Sequence, residues 1–147
     1  KGVLPITDER MTRFMISMEE AVKMVWYAFE DMVGGEIYVK KIPSMLIVDL
    51  ARALAPECKL EIIGIRPGEK LHEQMIGVED AYFTFEYPDF FKILPAINNW
   101  GSSIERIKNG EKVSENFTYC SNSNPVKMTK AALLEWVKLN RDEIGAL

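Results

Sequence analysis

The chain has 147 residues, of which 48% are hydrophobic, and this composition predicts an ordinary globular domain rather than a disordered segment. It carries 18 Lys and Arg residues against 22 Asp and Glu residues, so its formal net charge is −4. That balance argues against a protein that binds nucleic acid through bulk positive charge, and any anion site must therefore be local.

The sequence also argues against a membrane or secreted protein. No apolar stretch approaches the roughly 20 residues of a membrane-spanning helix, and the first residues lack the apolar core of a signal peptide. Cys58 and Cys120 form no C-x-x-C pair, so we expect free thiols in a cytoplasmic protein. The chain begins with Lys1 rather than Met, which we interpret as the start of a fragment, although a trimmed tag would look the same.

A first helix is predicted between residues 17 and 31. Ser17 and Glu20 have the S-x-x-E spacing of a capping box, in which both side chains satisfy main-chain N–H groups at a helix start. Apolar residues then recur at steps of three and four positions: Met18, Val22, Val25, Phe29 and Met32. We expect Gly34 and Gly35 to end this helix.

Three further elements are predicted before residue 66. Residues 36–39 alternate in polarity, which predicts a short strand with Ile37 and Val39 facing inward. A second helix follows and ends before Pro56, and its apolar face consists of Ile47, Leu50, Ala51 and Leu54. Residues 59–65 contain a β-branched run that predicts a largely buried strand.

The central part of the sequence predicts a helix and a hairpin. Residues 69–76 fit a single short helix whose inward side chains are Leu71, Met75 and Ile76. Residues 81–87 alternate like a strand, and after a turn at Pro88 the segment 90–94 is expected to pair back with it.

The C-terminal part is predicted to be irregular and then helical. Residues 97–128 are rich in Asn, Ser and Gly, which predicts an irregular surface segment and a candidate oligomer contact. An amphipathic helix is predicted over residues 129–145, with the apolar residues Leu133, Trp136, Val137 and Ile144. Helices that alternate with short strands predict an α/β or α+β fold, and we interpret residues 1–147 as a single domain.

Arg66 is the first candidate for ligand binding. It follows a predicted strand, and in open α/β sheets ligands bind at the carboxyl ends of strands. Its guanidinium offers donors in a flat fork that suits a phosphate or a carboxylate. Pro67 favours an extended backbone at Arg66, and Gly68 allows a close turn. The alternative is a solvated Arg66 followed by a Glu69 that only begins a helix, and these residues alone slightly favour it.

Arg10 and Arg13 form a second candidate site, just ahead of the first predicted helix, whose N-terminus attracts anions. Two arginines that converge on one pyrophosphate would neutralise its charge and leave Glu69 free to accept hydrogen bonds from sugar hydroxyls. Such a combination would bind a nucleoside diphosphate. The alternative, that Arg10 and Arg13 only lie in a loop, stays open.

The sequence contains no recognisable catalytic set. The imidazole of His72 could be taken for a general base, but a lone histidine is more often structural. We reject a metal site, because no ligand histidine accompanies the acids Asp8, Glu9, Glu19 and Glu20. There is no G-x-G-x-x-G, no G-K-[ST], no G-x-S-x-G, and no tyrosine followed by lysine four positions later. We therefore predict binding groups without catalytic residues.

Three stretches show a resemblance to a known family. LPITDERMTRFMIS, GGEIYVKKIPSM and IIGIRPGEKLHEQMI, in this order, resemble the C-terminal half of extended short-chain dehydrogenase/reductases, specifically the inverting UDP-N-acetylglucosamine 4,6-dehydratases. The resemblance runs from about Leu4 to Tyr87. Beyond Pro88 it is weaker, although FTYCSNSN before a terminal helix also resembles the family's ending.

The resemblance implies a UDP-sugar as the bound substrate. Arg13 and Arg66 would contact the pyrophosphate, and Glu69 would contact the uridine ribose. An N-terminal Rossmann half, which the resemblance does not cover in this chain, would hold NADP, so no cofactor is expected here and the chain alone would be inactive. In such enzymes the reaction is oxidation at C4, loss of water across C5 and C6, and hydride return to C6.

The resemblance also implies a cytoplasmic homo-oligomer for the full-length protein, with a role in pseudaminic acid or surface polysaccharide biosynthesis. Sibling UDP-sugar dehydratases and epimerases share much of the same pattern. A stand-alone binding module without catalysis is the alternative from another functional class.

Overall fold

The computed structural model describes residues 2–96 and 104–140. The strands in this part of the chain are β1 (Val3–Ile6), β2 (Thr12–Phe14), β3 (Ile37–Lys40), β4 (Ser44–Leu46), β5 (Lys59–Ile62), β6 (Gln74–Ile76), β7 (Thr84–Glu86), β8 (Phe90–Ile93), β9 (Glu111–Lys112) and β10 (Tyr119–Cys120). The helices are α1 (Met18–Asp31), α2 (Ile47–Leu54), α3 (Val78–Ala81), α4 (Ile104–Ile107) and α5 (Lys130–Leu139). The fold is mixed α/β.

The described residues divide into two compact units, each assembled from segments that are distant in the sequence. The described residues of the first unit lie within 2–15, 42–73 and 121–140, and those of the second lie within 16–41, 74–96 and 104–120. The interpretation of residues 1–147 as a single domain stays a prediction. None of the helices in the described ranges has the length and apolarity needed to cross a membrane.

The first unit contains a parallel pair of strands, β1 and β5, in which Val3 lies opposite Lys59 and Ile6 opposite Ile62. The strand predicted over residues 59–65 is thus confirmed in its first part, but its predicted burial is wrong. Ile62, Ile63 and Ile65 are 49%, 46% and 46% exposed. The physical reason is that the pair has no third strand within the described residues, whereas parallel sheets are normally covered on both faces.

Two helices form the core of the first unit. Helices α2 and α5 pack around the buried side chains of Met45, Ala53 and Leu133. Helix α2 ends at Leu54, before Pro56 as predicted, but its buried residues are Val48 and Ala53 rather than the predicted face. Leu50 packs against the core as a partly buried residue.

Helix α5 confirms the predicted terminal helix. Thr129 is its N-cap, and the hydroxyl of Thr129 accepts a hydrogen bond from the Ala132 N–H at 3.2 Å. Leu133 is fully buried, and Trp136 and Val137 pack beside it. Ile144 and the last part of the predicted range 129–145 lie outside the described residues.

The second unit contains a four-stranded antiparallel sheet in the order β3-β8-β7-β9. The predicted hairpin is confirmed, because β7 and β8 pair and the Tyr87 N–H donates to the Phe90 oxygen at 2.9 Å across the turn. The predicted strand at residues 36–39 corresponds to β3. Val39 is buried as predicted, whereas Ile37 is exposed, contrary to the prediction.

Helix α1 confirms the predicted helix, and Ser17 is its N-cap. The Ser17 hydroxyl accepts the Glu20 N–H at 3.2 Å. Helix α1 contains no buried residue, and its apolar stripe lies on the surface of the second unit, where Phe29 is 66% exposed. The helix contacts its own unit through other side chains, including Met24 and Tyr27, whose ring centroid lies 5.0 Å from that of Phe90.

The prediction of a helix over residues 69–76 is wrong. Residues 74–76 form strand β6, which pairs with β10, and the residues before it are irregular. The Thr12 N–H donates to the Leu71 oxygen at 3.1 Å, and the Ser121 N–H donates to the Glu73 oxygen at 2.8 Å. These bonds come from residues far away in the sequence, so tertiary contacts override the local helical pattern.

The prediction of an irregular surface segment over residues 97–128 is wrong for much of the part that the structure describes. Residues 104–128 contain α4, β9 and β10, and several of their side chains are buried: Arg106, Val113, Tyr119, Ser121 and Asn124. Residues 97–103 lie outside the described part of the chain. The small polar residues that suggested a loop instead bond to main-chain groups of their own unit, as when the Asn124 amide donates to the Ile42 oxygen at 2.8 Å.

A buried ion-pair cluster crosses the interior of the second unit. Asp31, at the end of α1, accepts hydrogen bonds from Lys92, Lys108 and the Tyr38 hydroxyl. The Lys92 side chain is only 1% exposed. Burial opposes ionisation of Asp31, but the hydrogen bonds from Lys108 and Lys92 outweigh it and lower the pKa of this carboxyl to about 2.

Candidate functional site

The candidate site lies at the carboxyl end of the parallel pair. Strand β1 ends at Ile6 and is followed by Thr7, and β5 is followed by the segment that leads to Arg66. Because β1 and β5 run in the same direction, the segments that follow them leave from the same edge. The Thr7 hydroxyl donates to Glu69 Oε1 at 3.3 Å, so this edge brings a residue from each segment into contact.

Residues 66–69 form a tight turn. The Glu69 N–H donates to the Arg66 oxygen at 3.1 Å. Pro67 occupies the second position, and Gly68 occupies the third with a φ of 83°, as a type II turn requires. The Arg66 N–H in turn donates to Glu69 Oε2 at 3.1 Å. Glu69 therefore closes a turn instead of beginning a helix.

The side chains of Arg66 and Glu69 differ in how many hydrogen bonds they already make within the protein. Arg66 is exposed, and no residue within 2–96 or 104–140 accepts a hydrogen bond from its guanidinium, so all five of its N–H donors are available to a ligand. Glu69 is partly buried, and its carboxylate accepts one hydrogen bond on each oxygen. A carboxylate has roughly four acceptor positions, so Glu69 can still accept further bonds.

Arg13 lies on β2 and contacts the segment that follows the turn. Its Nη1 donates to the Thr12 oxygen at 2.8 Å and to the Leu71 oxygen at 3.3 Å. Its Nη2 donates to the Lys70 oxygen at 2.9 Å, and its Nε lies 3.4 Å from Glu73 Oε1. The structure thus connects Arg13 to the chain segment of Arg66 and Glu69 through main-chain oxygens.

His72 belongs to a polar network with Thr12 and Ser121. Thr12 Oγ1 lies 2.8 Å from His72 Nδ1 and 2.6 Å from Ser121 Oγ, and the Glu73 N–H donates to Ser121 Oγ at 2.9 Å. Sequence reasoning missed Thr12 and Ser121. The only sequence signal for them is that Thr12 lies in the family-like stretch LPITDERMTRFMIS and Ser121 lies in FTYCSNSN.

The Arg10 guanidinium is already bound to the carboxylate of Asp8, two positions earlier in the sequence. Arg10 Nη2 lies 2.8 Å from Asp8 Oδ2, and Arg10 Nε donates to Asp8 Oδ1 at 3.0 Å. These hydrogen bonds lower the pKa of the Asp8 carboxyl to about 2. Arg10 therefore fits the alternative of a loop arginine. Within residues 2–96 and 104–140, no three His, Cys, Asp or Glu residues are grouped as metal ligands would be.

The described residues do not fit a dinucleotide cofactor such as NADP. A Rossmann site needs a glycine-rich turn between a parallel strand and the N-terminus of a helix. Here β1 leads to β2, and β5 leads to the Arg66 turn, so neither parallel strand runs directly into a helix. We assign no part of a cofactor site to residues 2–96 and 104–140.

The sequence matches one protein family and several known relatives. The model of a family described as polysaccharide biosynthesis protein matches residues 1–95. A UDP-N-acetylglucosamine 4,6-dehydratase (inverting) from Campylobacter jejuni is 50% identical over 137 residues, which are 90% of this chain and 41% of that protein. A UDP-glucose 4-epimerase from Rickettsia canadensis is 38% identical over 94 residues, 61% of this chain and 28% of that protein.

A solved structure supports the same relationship. The X-ray structure of Pen from Bacillus thuringiensis has a TM-score of 0.75 and 26% sequence identity, over 95% of this chain and 40% of that chain. The chain therefore spans about two fifths of the length of the dehydratase and of Pen. It is homologous to part of the dehydratase, as its three family-like stretches predicted.

Proposed function

Because the chain belongs to the polysaccharide biosynthesis protein family, we propose that it is the UDP-sugar-binding C-terminal part of a UDP-N-acetylglucosamine 4,6-dehydratase (inverting). The whole protein would act in nonulosonic (pseudaminic) acid or surface polysaccharide biosynthesis. The observation that carries the proposal is the turn at the carboxyl end of the parallel pair, where Arg66 has an unoccupied guanidinium three residues before the carboxylate of Glu69.

The proposed substrate contacts follow from the chemistry of these side chains. Arg66 donates to the pyrophosphate, since a guanidinium matches two phosphate oxygens at once. Glu69 accepts hydrogen bonds from the ribose hydroxyls with the acceptor positions that Thr7 and the Arg66 N–H leave open. Arg13 is the third proposed contact, on the phosphate side.

NADP and the acid and base groups are proposed to reside in an N-terminal half of the longer protein. Support comes from the exposed parallel pair, because Val3, Ile62 and Ile65 present apolar surface where a parallel sheet is normally covered. Further strands and helices of a longer enzyme would cover this surface. The complete protein is proposed to be a cytoplasmic homo-oligomer, and this chain alone to be inactive.

A titration with uridine and UDP tests the proposal. UDP should bind more tightly than uridine, because its diphosphate gains the Arg66 contact. In Arg66→Ala this difference should shrink, whereas Arg52→Ala, which removes an exposed arginine from α2, should preserve it. If Arg66→Ala leaves the preference for UDP unchanged, Arg66 does not bind the phosphates.

The related epimerase provides a second candidate function for the complete protein, which is a UDP-sugar 4-epimerase. Both candidates require a UDP-sugar site, so binding does not separate them. The product does: mass spectrometry of UDP-N-acetylglucosamine after incubation should show the loss of one water for a dehydratase and an unchanged mass for an epimerase. An unchanged mass together with a new C4 epimer in the NMR spectrum would overturn the dehydratase assignment.

A further inference from the structure

Most N–H donors of the Arg13 guanidinium already bond to groups of the protein itself. A guanidinium has five N–H donors, and in Arg13 three hydrogen bonds go to main-chain oxygens while Nε faces Glu73. One N–H, on Nη2, remains. Arg13 can therefore give a phosphate a single hydrogen bond without releasing an existing contact, whereas Arg66 can give a forked pair.

One contact of Arg13, that with the Lys70 oxygen, falls at a weakly attached place in residues 66–73, called the Arg66 loop below. The end of this loop is fixed by other groups, since the Thr12 N–H binds the Leu71 oxygen and Ser121 Oγ accepts the Glu73 N–H. The Lys70 oxygen, next to Glu69, accepts a hydrogen bond from Arg13 Nη2. Arg13 therefore acts where the loop passes from the fixed end to the proposed ligand-binding turn.

We propose that Arg13 is a positioning residue that holds the Arg66 loop, and with it Glu69, in place before a ligand arrives. This inference rests on the proposed function only where it concerns ligand affinity. A loop that is ordered in advance loses less conformational entropy on binding, so its ligands bind more tightly without any additional contact. Arg13 thus contributes to the recognition of the nucleoside part of the ligand, which a pure phosphate contact does not do.

Hydrogen exchange on the free chain tests the positioning role without any ligand. In Arg13→Lys, which retains the charge but loses the fork, the amides of residues 66 and 68–70 should exchange about tenfold faster, because hydrogen bonds from a charged donor to the loop are lost. Exchange in α2 and α5 should remain as in the wild type. Arg66→Lys serves as the matched variant and should exchange at wild-type rates. Unchanged exchange in Arg13→Lys, or an equal increase throughout the first unit, would overturn the proposal.

Titration of the same variants separates positioning from phosphate binding. Arg13→Lys should weaken the binding of uridine and of UDP by the same factor, about tenfold, since both affinities depend on the placement of Glu69. Arg66→Lys should weaken UDP and leave uridine unchanged. If Arg13→Lys weakens UDP alone, Arg13 is a direct phosphate ligand and the positioning role is refuted. If the wild type binds neither compound, the proposed function fails, and the exchange experiment still decides the role of Arg13.

Discussion

The Thr7 hydroxyl donates to the carboxylate of Glu69 at 3.3 Å, and this contact joins the segments that follow the parallel strands β1 and β5. Glu69 also accepts the main-chain N–H of Arg66. Its carboxylate is therefore located by one strand end and by the turn that carries the unoccupied guanidinium. This arrangement places an acceptor and a cationic donor on the same turn, at the edge of the sheet where ligands of α/β proteins bind.

Gly68→Ala should destabilise the chain by about 1 kcal/mol and weaken UDP binding, because an L-residue is strained at its φ of 83°. A Cβ at this position meets no atom within 4 Å, so the cost is conformational rather than steric. Thermal unfolding and a UDP titration measure both effects. Gly2→Ala is the control, since its Cβ makes only an ordinary contact, 3.7 Å from Cys58 Sγ. Equal stability of Gly68→Ala and the wild type would show that the turn tolerates a side chain.

Glu69→Gln should weaken uridine binding about tenfold, because a charged acceptor for the ribose hydroxyls becomes a neutral amide. The exchange keeps the shape of the side chain, so the turn should persist. Isothermal titration with uridine measures the change. Glu61→Gln, which neutralises an exposed acid on β5, should bind uridine like the wild type. Wild-type affinity in Glu69→Gln would remove this residue from the site.

Ser121→Ala should lower the free energy of unfolding by about 2 kcal/mol, because it leaves buried polar groups without partners. Ser121 is fully buried, and its hydroxyl accepts the Glu73 N–H and lies 2.6 Å from Thr12 Oγ1. Urea denaturation provides the measurement. The control is Ser114→Ala at an exposed serine, for which we expect the free energy of unfolding to fall by less than about 0.5 kcal/mol. A loss no larger than that of the control would contradict the role of this network.

Asp31→Asn should destabilise the second unit by about 3 kcal/mol near neutral pH, because the buried Lys92 loses its counter-charge. Lys108→Gln is the matched variant. It removes the more exposed partner of Asp31, with a side chain that is 50% exposed, and it should lower the free energy of unfolding much less than Asp31→Asn does.

The stability difference between wild type and Asp31→Asn should also depend on pH. The pKa of Asp31 is about 2 in the folded chain and its ordinary value is 3.8. Between these two values the unfolded state binds more protons, so lowering the pH through this window destabilises the folded wild type. Asp31→Asn lacks this titration, and the two unfolding free energies should therefore converge as the pH falls. A constant difference from neutral pH down to about pH 2 would contradict the assignment.

Local signals in the sequence predicted the elements whose determinants are local. The N-cap at Ser17 and the turn at Pro88 both lie within a few residues of the element they define. The helix predicted over residues 69–76 does not form, because the conformation of this segment depends on Thr12 and Ser121, which lie far away in the sequence.

The periodicity of a segment also does not reveal what covers its apolar face. The stripe on α1 and the isoleucines after β5 are exposed within the described residues, although their patterns resemble those of buried elements. In the candidate site, Pro67 and Gly68 predicted the turn after Arg66, but Glu69 closes this turn instead of beginning the predicted helix. The contacts of Arg13 with main-chain oxygens could not be predicted, since no sequence pattern specifies such partners.

The most direct test of the central claim is an isothermal titration of UDP-N-acetylglucosamine into the complete protein, compared with its Arg66→Ala variant. Loss of the forked phosphate contact should weaken binding by about 10-fold to 100-fold, while Arg52→Ala retains wild-type affinity. Unchanged affinity in Arg66→Ala would contradict the assignment of the UDP-sugar site to this turn.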